Sequence, residues 1–545
     1  MLRLGSLLSL AYLFTQAAPA PAPAAAPGWQ FVEKGHSGIV ALEAAVVSPT
    51  LVLFYDRATN DPLKTDDGKV AWGALWNLET NEATALKVLS DAFCASGSIL
   101  SNGTMVSVGG NIPASRNVND TGAVDGRMGI RLFDPCTDAN GEGCTVFEDL
   151  DNIHLAETRW YPSSLRIFDG SLMVVGDPVN SYEFWPSKDG GVPRESEFLT
   201  RSNPVNLFPR AFALPDGKIF IISNNQSIIY DIETNTETAL PDLPNGQRIT
   251  NPFDGTATLL PLSPPDYIPE VLACGGSHTS DTADPETLSA QDPASAQCSR
   301  MTLTPEGIEK GWEVEEMPEA RMMPEMILLP DGKILIINGG TSGYAAIRSV
   351  GTTFGASNAA NAVFTPVLYD PSLPLGSRMS NDGLPASPIA RMYHSSVTLT
   401  PQGNILLAGS NANGNVTILP EGAPGFSSEF RVETLDPPYM ALERPVLSNA
   451  PSKIAFNQEF TINIDIPASL ETSSIKVALI DLGFSTHAFH SSSRLVFLDA
   501  TLSSGTLTVT SPPNNRVYPP GIAYIYVTVG DRTSAGVQVM VGTGG

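Results

Sequence analysis

A strand–turn–strand unit recurs along this chain and restricts it to a repetitive β architecture. The segments LSNGTMVSVGG (100–110), FDGSLMVVGD (168–177), LPDGKIFIIS (214–223), LPDGKILIIN (329–338) and TPQGNILLAGS (400–410) share one pattern. Each joins short apolar runs through a glycine-containing turn such as Asn-Gly or Asp-Gly, the local signature of a β-hairpin. A supersecondary unit repeated at intervals of tens of residues cannot bury its own apolar face and must stack on its neighbours.

The turn glycines Gly103, Gly170, Gly217, Gly332 and Gly403 put the repeats in register, and nine residues before them stand Cys94, Tyr161, Phe208, Met323 and His394. Equivalent positions of a closed propeller lie at one height around its axis. Cys94, Tyr161 and His394, with Tyr393 beside the last, are therefore expected at one end of a central channel. Two degenerate units, near 38–57 and 254–277, bring the count to about seven at a kelch-like period of about 50 residues. The expected fold is all-β: a seven-bladed kelch-like β-propeller over 30–440. Past that point strands alternate at short intervals without the repeat motif, as in an Ig-like β-sandwich over 441–545. Inside it lies DLGFSTHAFHSSSRLVFL (481–498), carrying His487 and His490, with no evident partner in its own domain.

The chain opens on a short apolar run behind one basic residue, read as a signal peptide over 1–18 and followed by a Pro/Ala-rich leader over 19–29. That run is shorter than the roughly 20 apolar residues of a membrane span. A formal net charge of -26 without a Lys/Arg cluster argues against nucleic acid or anionic membrane as partner. Asn102, Asn119, Asn225 and Asn415 stand in N-x-S/T sequons, compatible with glycosylation. The chain has five cysteines. In an exported protein their spacing suggests bridges Cys136–Cys144 and Cys274–Cys298, which leaves Cys94 over. A thiol at 94 and a phenol at 161, in matching positions of neighbouring repeats, could touch.

Two imidazoles and two phenols form a nitrogen and oxygen ligand set that suits Cu(II); zinc more often draws on cysteine or carboxylate. The sequence has no HExxH, paired CxxC, phosphate loop, EF-hand or nucleophile elbow.

Four segments, FCASG around Cys94, ETRWYPSS around Tyr161, ARMYHSS around Tyr393–His394 and GFSTHAFHSSSR around His487, resemble the active-site segments of the copper-radical oxidases, the fungal glyoxal oxidases more than galactose oxidase. The resemblance implies one copper ion per chain, held by Tyr161, Tyr393, His394 and His487. It implies a thioether between Cys94 and Tyr161 that carries a radical, with Tyr393 as axial ligand and catalytic base. His487 is taken as the ligand from the C-terminal loop, and His490 as a second-layer or surface residue. The implied activity is oxidation of small aldehydes and α-hydroxycarbonyls such as glyoxal and methylglyoxal to carboxylic acids, with dioxygen reduced to hydrogen peroxide. Alternatives are an alcohol or carbohydrate oxidase with the same cofactor, or a non-enzymatic propeller binding glycan or protein. The expectation is a secreted, extracellular monomer whose peroxide supplies extracellular peroxidases. Trp160 is expected to pack between sheets, because neighbours in a strand face opposite ways. Trp72 and Trp76 either line the mouth or sit in an outer strand, and the strand is the preferred reading. Arg210, Arg321 and Arg391 are either substrate-binding or paired rim residues.

Overall fold

All five turn glycines take positive φ, from 84° at Gly170 to 93° at Gly103 and Gly332. A side chain there would be strained, so glycine fixes each hairpin at that point. In a computed structural model, which describes residues 27–284, 287–345, 358–470 and 474–542, each such turn joins the first two strands of a small antiparallel sheet. The signal peptide expected over 1–18 and most of the leader lie outside the described residues.

The described chain is all-β, built from many small sheets. Four-stranded sheets start at Ser96–Ile99, Ser163–Arg166, Arg210–Ala213, Gly255–Leu259, Glu325–Leu328 and Ser396–Leu399, and another sheet contains Glu43–Val46. The degenerate units near 38–57 and 254–277 thus form strand pairs like the others, Glu43–Val46 with Leu51–Tyr55 and Gly255–Leu259 with Glu270–Gly275. First strands neighbour one another in chain order from Ser96–Ile99 to Ser396–Leu399, which in turn packs beside Glu43–Val46. The sheet of Ser396–Leu399 takes its fourth strand from the N-terminal side, where Gln30–His36 pairs with Arg431–Asp436. Strands such as Ile334–Ile337 and Ile405–Ala408 are buried on both faces, so a single Ile→Ala change inside one would cost about 2–5 kcal/mol.

Beyond residue 440 two sheets share one core. Val446–Ser448, Glu459–Asp465, Thr506–Thr510 and Ala500–Ser503 form the first; Ile475–Asp481, Arg494–Leu498, Gly521–Val529 and Val537–Val541 dominate the second. Ile462, Val477, Leu479, Leu507, Val509, Ile525 and Val527 meet between them.

The histidine loop of this domain is a hairpin, Phe484–Thr486 and Phe489–Ser491, that leaves its own sheets. Its first strand adds to Glu43–Val46, pairing Glu43 with Thr486 and Ala45 with Phe484. Its second strand touches the first strands beginning at Ser96, Ser163, Arg210, Gly255 and Glu325. The partner that the loop lacks in its own domain is thus the ring of first strands.

Both expected disulfides are present, and Cys274 and Cys298 lie directly opposite on paired strands. Cys94 is free and buried. Trp76 is buried within the strand Gly73–Asn77, as expected, and Trp72 is buried one residue before it.

Of the two readings of the arginines, pairing is seen for Arg210 and Arg391, away from any rim. Arg210, Arg321 and Arg391 are fully buried rather than lining a mouth. Arg210 pairs with Asp254 at 3.1 Å and Arg391 with Glu433 at 2.9 Å, while Arg321 donates to the carbonyls of Asn338 and Thr365. A guanidinium carries five donors in a planar fork and satisfies several loop carbonyls at once. That capacity, rather than substrate binding, explains arginine at the ends of these sheets.

Candidate redox site

The register position carries a shared backbone feature. Cys94, Phe208, Met323 and His394 all have φ between 49° and 67°, and each lies two residues before a first strand. Left-handed backbone at non-glycine residues costs of order 1 kcal/mol and persists only where surrounding structure imposes it. Here the repeat imposes it, turning the side chain at this position from the sheet toward the common end. Phe208 and Met323 show that this geometry belongs to the scaffold; Cys94 and His394 occupy it with reactive groups, while Tyr161 holds the same register position without the left-handed backbone.

His487 arrives differently. It and Ala488 are the two central residues of the inserted hairpin, with φ 47° and 60°, the pattern of a type I′ turn. The hairpin's pairing with Glu43–Val46 therefore sets where the imidazole stands.

These routes converge. The Tyr161 and Tyr393 hydroxyls lie 3.1 Å apart. Cys94 Sγ lies 3.4 Å from His487 Nε2, and Cys94 shares a buried cluster with Tyr161. Ligand atoms of Cys94, His394 and His487 all fall within 4.8 Å of one another. The Tyr393 and His394 rings stack at 3.7 Å. His394 Nδ1 is 2.6 Å from the Asn411 carbonyl and donates to it, which leaves Nε2 buried without a partner. His487 Nδ1 is taken by the Thr486 hydroxyl at 2.6 Å, so its Nε2 also faces the cluster.

Burial dominates the electrostatics. It pushes His394 down to about 3 and His487 well below the usual imidazole range, the second also by its histidine neighbour. Both rings are neutral at physiological pH and able to ligate a metal. Burial raises Tyr161, Tyr393 and the Cys94 thiol well above their ordinary values. The metal-free site therefore keeps these protons, and a cation among the oxygens would favour their loss. An orphaned imidazole nitrogen beside two phenols and a second inward imidazole fits a nitrogen/oxygen-ligated copper ion.

His490 stands apart from this cluster. It is buried, not on the surface, and its Nε2 lies 3.2 Å from Glu325 without the alignment of a hydrogen bond. Trp160 also departs from expectation. It is 39% exposed, with its ring edge-on to Tyr161 at 4.6 Å. Strand alternation does not govern it, because it precedes the strand Ser163–Arg166.

Several neighbours carry no sequence signal. Phe208 stacks on His487 at 4.4 Å and meets Tyr161 edge-on at 5.0 Å; it was in register but chemically unmarked. Asn251 donates to the Tyr393 hydroxyl at 3.0 Å from a loop outside every motif. Phe93 sits edge-on to His394, under the Arg57 guanidinium.

Two phenols, two neutral imidazoles and a thiol gathered in one buried cluster combine candidate metal ligands with oxidisable groups, as in a metal-ligating oxidoreductase centre. The profile described as Glyoxal oxidase N-terminus matches residues 55–439, and that described as Galactose oxidase-like, Early set domain matches 444–541. An aldehyde oxidase GLOX of Vitis pseudoreticulata is 30% identical over 530 residues, covering 91% of this chain and 93% of that protein. A galactose oxidase of Gibberella zeae is 23% identical over 92% of this chain and 68% of its own length. A fungal alcohol oxidase solved in complex with copper superposes with a TM-score of 0.68 at 16% identity, over 95% of this chain and 100% of that one. The chain belongs to the glyoxal oxidase family of copper-radical oxidases.

Proposed function

We propose that the protein oxidises small aldehydes and α-hydroxycarbonyls, such as glyoxal and methylglyoxal, to carboxylic acids and releases hydrogen peroxide. The observation that carries this reading is the meeting of the Tyr161 and Tyr393 oxygens at 3.1 Å beside Cys94 and two neutral imidazoles. In this reading the ring of first strands is a seven-bladed propeller over 30–440, and the sandwich over 441–545 delivers His487 along its axis.

Tyr161, Tyr393, His394 and His487 would hold the metal. Copper bound there supplies one of the two one-electron stores that a two-electron oxidation needs. Tyr161 supplies the other. Joining Cys94 Sγ to a Tyr161 ring carbon removes one hydrogen from each, with dioxygen as oxidant, and sulfur on the ring makes the phenoxyl radical easier to form and keep. The hydroxyl proton of a hydrated aldehyde passes to Tyr393, the hydrogen on its carbon to the Tyr161 oxygen, and dioxygen leaves as hydrogen peroxide. Burial keeps bulk water from the radical, and the Tyr393–His394 stack holds the accepting oxygen in place.

Peptide mass mapping after copper treatment tests the cofactor. The Cys94 and Tyr161 peptides should appear joined and two hydrogens lighter than their sum; separate peptides with alkylated Cys94 at full copper loading would refute it. A second reading, oxidation of primary alcohols or carbohydrates, draws on the alcohol oxidase superposition and the galactose oxidase relative. Peroxide release from methylglyoxal, galactose and benzyl alcohol separates the two, and a preference for either alcohol overturns the aldehyde assignment. The two disulfides and the expected signal peptide support an extracellular location; in this reading the protein is a monomer whose peroxide serves extracellular peroxidases.

A further inference from the structure

The segment GFSTHAFHSSSR carries serines that the reading of its histidines leaves unexplained. The hairpin built from it is held unequally. Its first strand, Phe484–Thr486, pairs with Glu43–Val46, but its second, Phe489–Ser491, is the edge of that sheet and has no further strand beside it. Register that rests on one short ladder can slip, and a slip of one residue would carry the turn, and His487 with it, about 3.3 Å along the sheet.

Serine hydroxyls supply the missing fixings. Ser485 Oγ accepts the Val397 N–H at 3.1 Å. Ser491 donates its hydroxyl to the Ser164 carbonyl, while Ser492 Oγ accepts the Arg166 N–H at 2.9 Å and lies 2.7 Å from Ser98 Oγ. The strands reached are Ser396–Leu399, Ser163–Arg166 and Ser96–Ile99, which begin two residues after His394, Tyr161 and Cys94. The hydroxyls therefore tie the hairpin of His487 to the strands that carry the other members of the cluster. Arg166 closes the stem: its guanidinium pairs with Asp481 at 2.6 Å, where the chain enters the hairpin, and donates to the Ile99 carbonyl. Serine suits this task because its small side chain lets backbones approach while its hydroxyl both donates and accepts. Ser485 and Ser491 are fully buried, where an unpaired hydroxyl would be costly. Among the described residues the Ser493 hydroxyl, next in the run, has no partner on a first strand.

We propose that Ser485, Ser491 and Ser492 are positioning residues that set the His487 imidazole against Cys94, Tyr161 and His394, and thereby set copper affinity and the yield of the Cys94–Tyr161 linkage. The inference rests on the ligand role of His487 proposed above.

The test titrates copper into metal-free parent, the double variant Ser491→Ala/Ser492→Ala and the single variant Ser493→Ala, and then maps their peptides. In the double variant copper affinity should fall on the order of tenfold to hundredfold, the usual cost of losing groups that orient a metal ligand, and the joined Cys94–Tyr161 fraction should fall with it. Ser493→Ala should stay within about twofold of the parent. A double variant whose Tm drops while copper affinity and linkage stay within that margin overturns the proposal, as does an equal loss in Ser493→Ala. Should the double variant fail to fold, Ser492→Ala alone, at a half-buried position, decides on the same readouts and margin. If the parent itself takes up no copper, the ligand reading fails by itself, and amide hydrogen exchange over 484–491 in the metal-free proteins decides. Exchange accelerated on the order of tenfold in the double variant but not in Ser493→Ala supports the positioning role, and equal rates overturn it.

Discussion

The phenolic oxygens of Tyr161 and Tyr393 lie 3.1 Å apart although 232 positions separate the residues. Their surroundings differ. Tyr161 lies in a buried cluster with Cys94 and meets the Trp160 and Phe208 rings edge-on; Tyr393 receives the Asn251 amide and stacks on His394. Two like groups in contact with unlike neighbours can divide two tasks, one holding a radical and the other taking a proton.

Tyr393→Phe removes one oxygen and keeps the ring on His394. Turnover is expected to fall about 100- to 10,000-fold, the range for loss of a positioned acid–base group. Copper content and the joined Cys94–Tyr161 peptide should persist. Turnover near that of the parent with metal bound would remove Tyr393 from the base role.

Asn251→Leu deletes the amide that reaches the Tyr393 hydroxyl, the Ala345 carbonyl at 2.9 Å and Asp254 at 3.3 Å. Leaving buried acceptors unpaired should cost about 1–3 kcal/mol of stability. Turnover should drop less than in Tyr393→Phe, since the base survives but loses its orientation. Thermal melts and initial rates check both. An unchanged rate in a folded variant would show that the amide does not position the phenol.

Acid should stabilise this protein before it harms it. Burial lifts Asp61 to about 7 from an ordinary 3.8 and raises its partner Asp56 as well. The folded state therefore holds protons that the unfolded state releases between those values, and stability rises as pH falls through that window. His394, held at about 3, works the other way and loses stability as pH drops below about 6.5. Relief of repulsion within a chain of charge -26 adds to the first effect. Scanning calorimetry of the metal-free protein should place the highest Tm near pH 5, by about these values. A Tm rising steadily from pH 5 to 8 would contradict it.

The nine-residue register brought Cys94, Tyr161 and His394 to one place because equivalent offsets in a repeat put them at the same end of neighbouring sheets. The same register could not distinguish Phe208 from Met323, since a ring that packs and a ring that stacks on a ligand look alike in one dimension. Trp160 was misjudged because alternation was applied to a residue before the strand begins. The choice between substrate binding and pairing for the arginines stayed open in the sequence, because a motif-end arginine gives no sign of the carboxylates and carbonyls that will surround it. Asn251 lies outside every repeat motif, and only the folded loops bring it to the site.

His487 and His490 are three residues apart on one hairpin, and their contrasting environments give the sharpest test of the ligand set. His487 sits at the turn, its Nε2 among Cys94 and His394. His490 pairs across the hairpin with Ser485 and faces Glu325 at 3.2 Å, a carboxyl that burial raises and His490 lowers. Replacing His487 with Ala should remove a ligand, so copper binding weakens by orders of magnitude and the Cys94–Tyr161 linkage, which needs metal and dioxygen, does not form. Because His487 also stacks on Phe208, a thermal melt must confirm that the variant remains folded. Replacing His490 with Ala should instead leave copper bound and the linkage formed. It strands Glu325 in the interior, and Tm should fall by an amount equivalent to about 1–3 kcal/mol. Metal analysis and peptide mapping of the two variants side by side separate the roles: copper lost from His490→Ala and kept by His487→Ala would exchange the assignments.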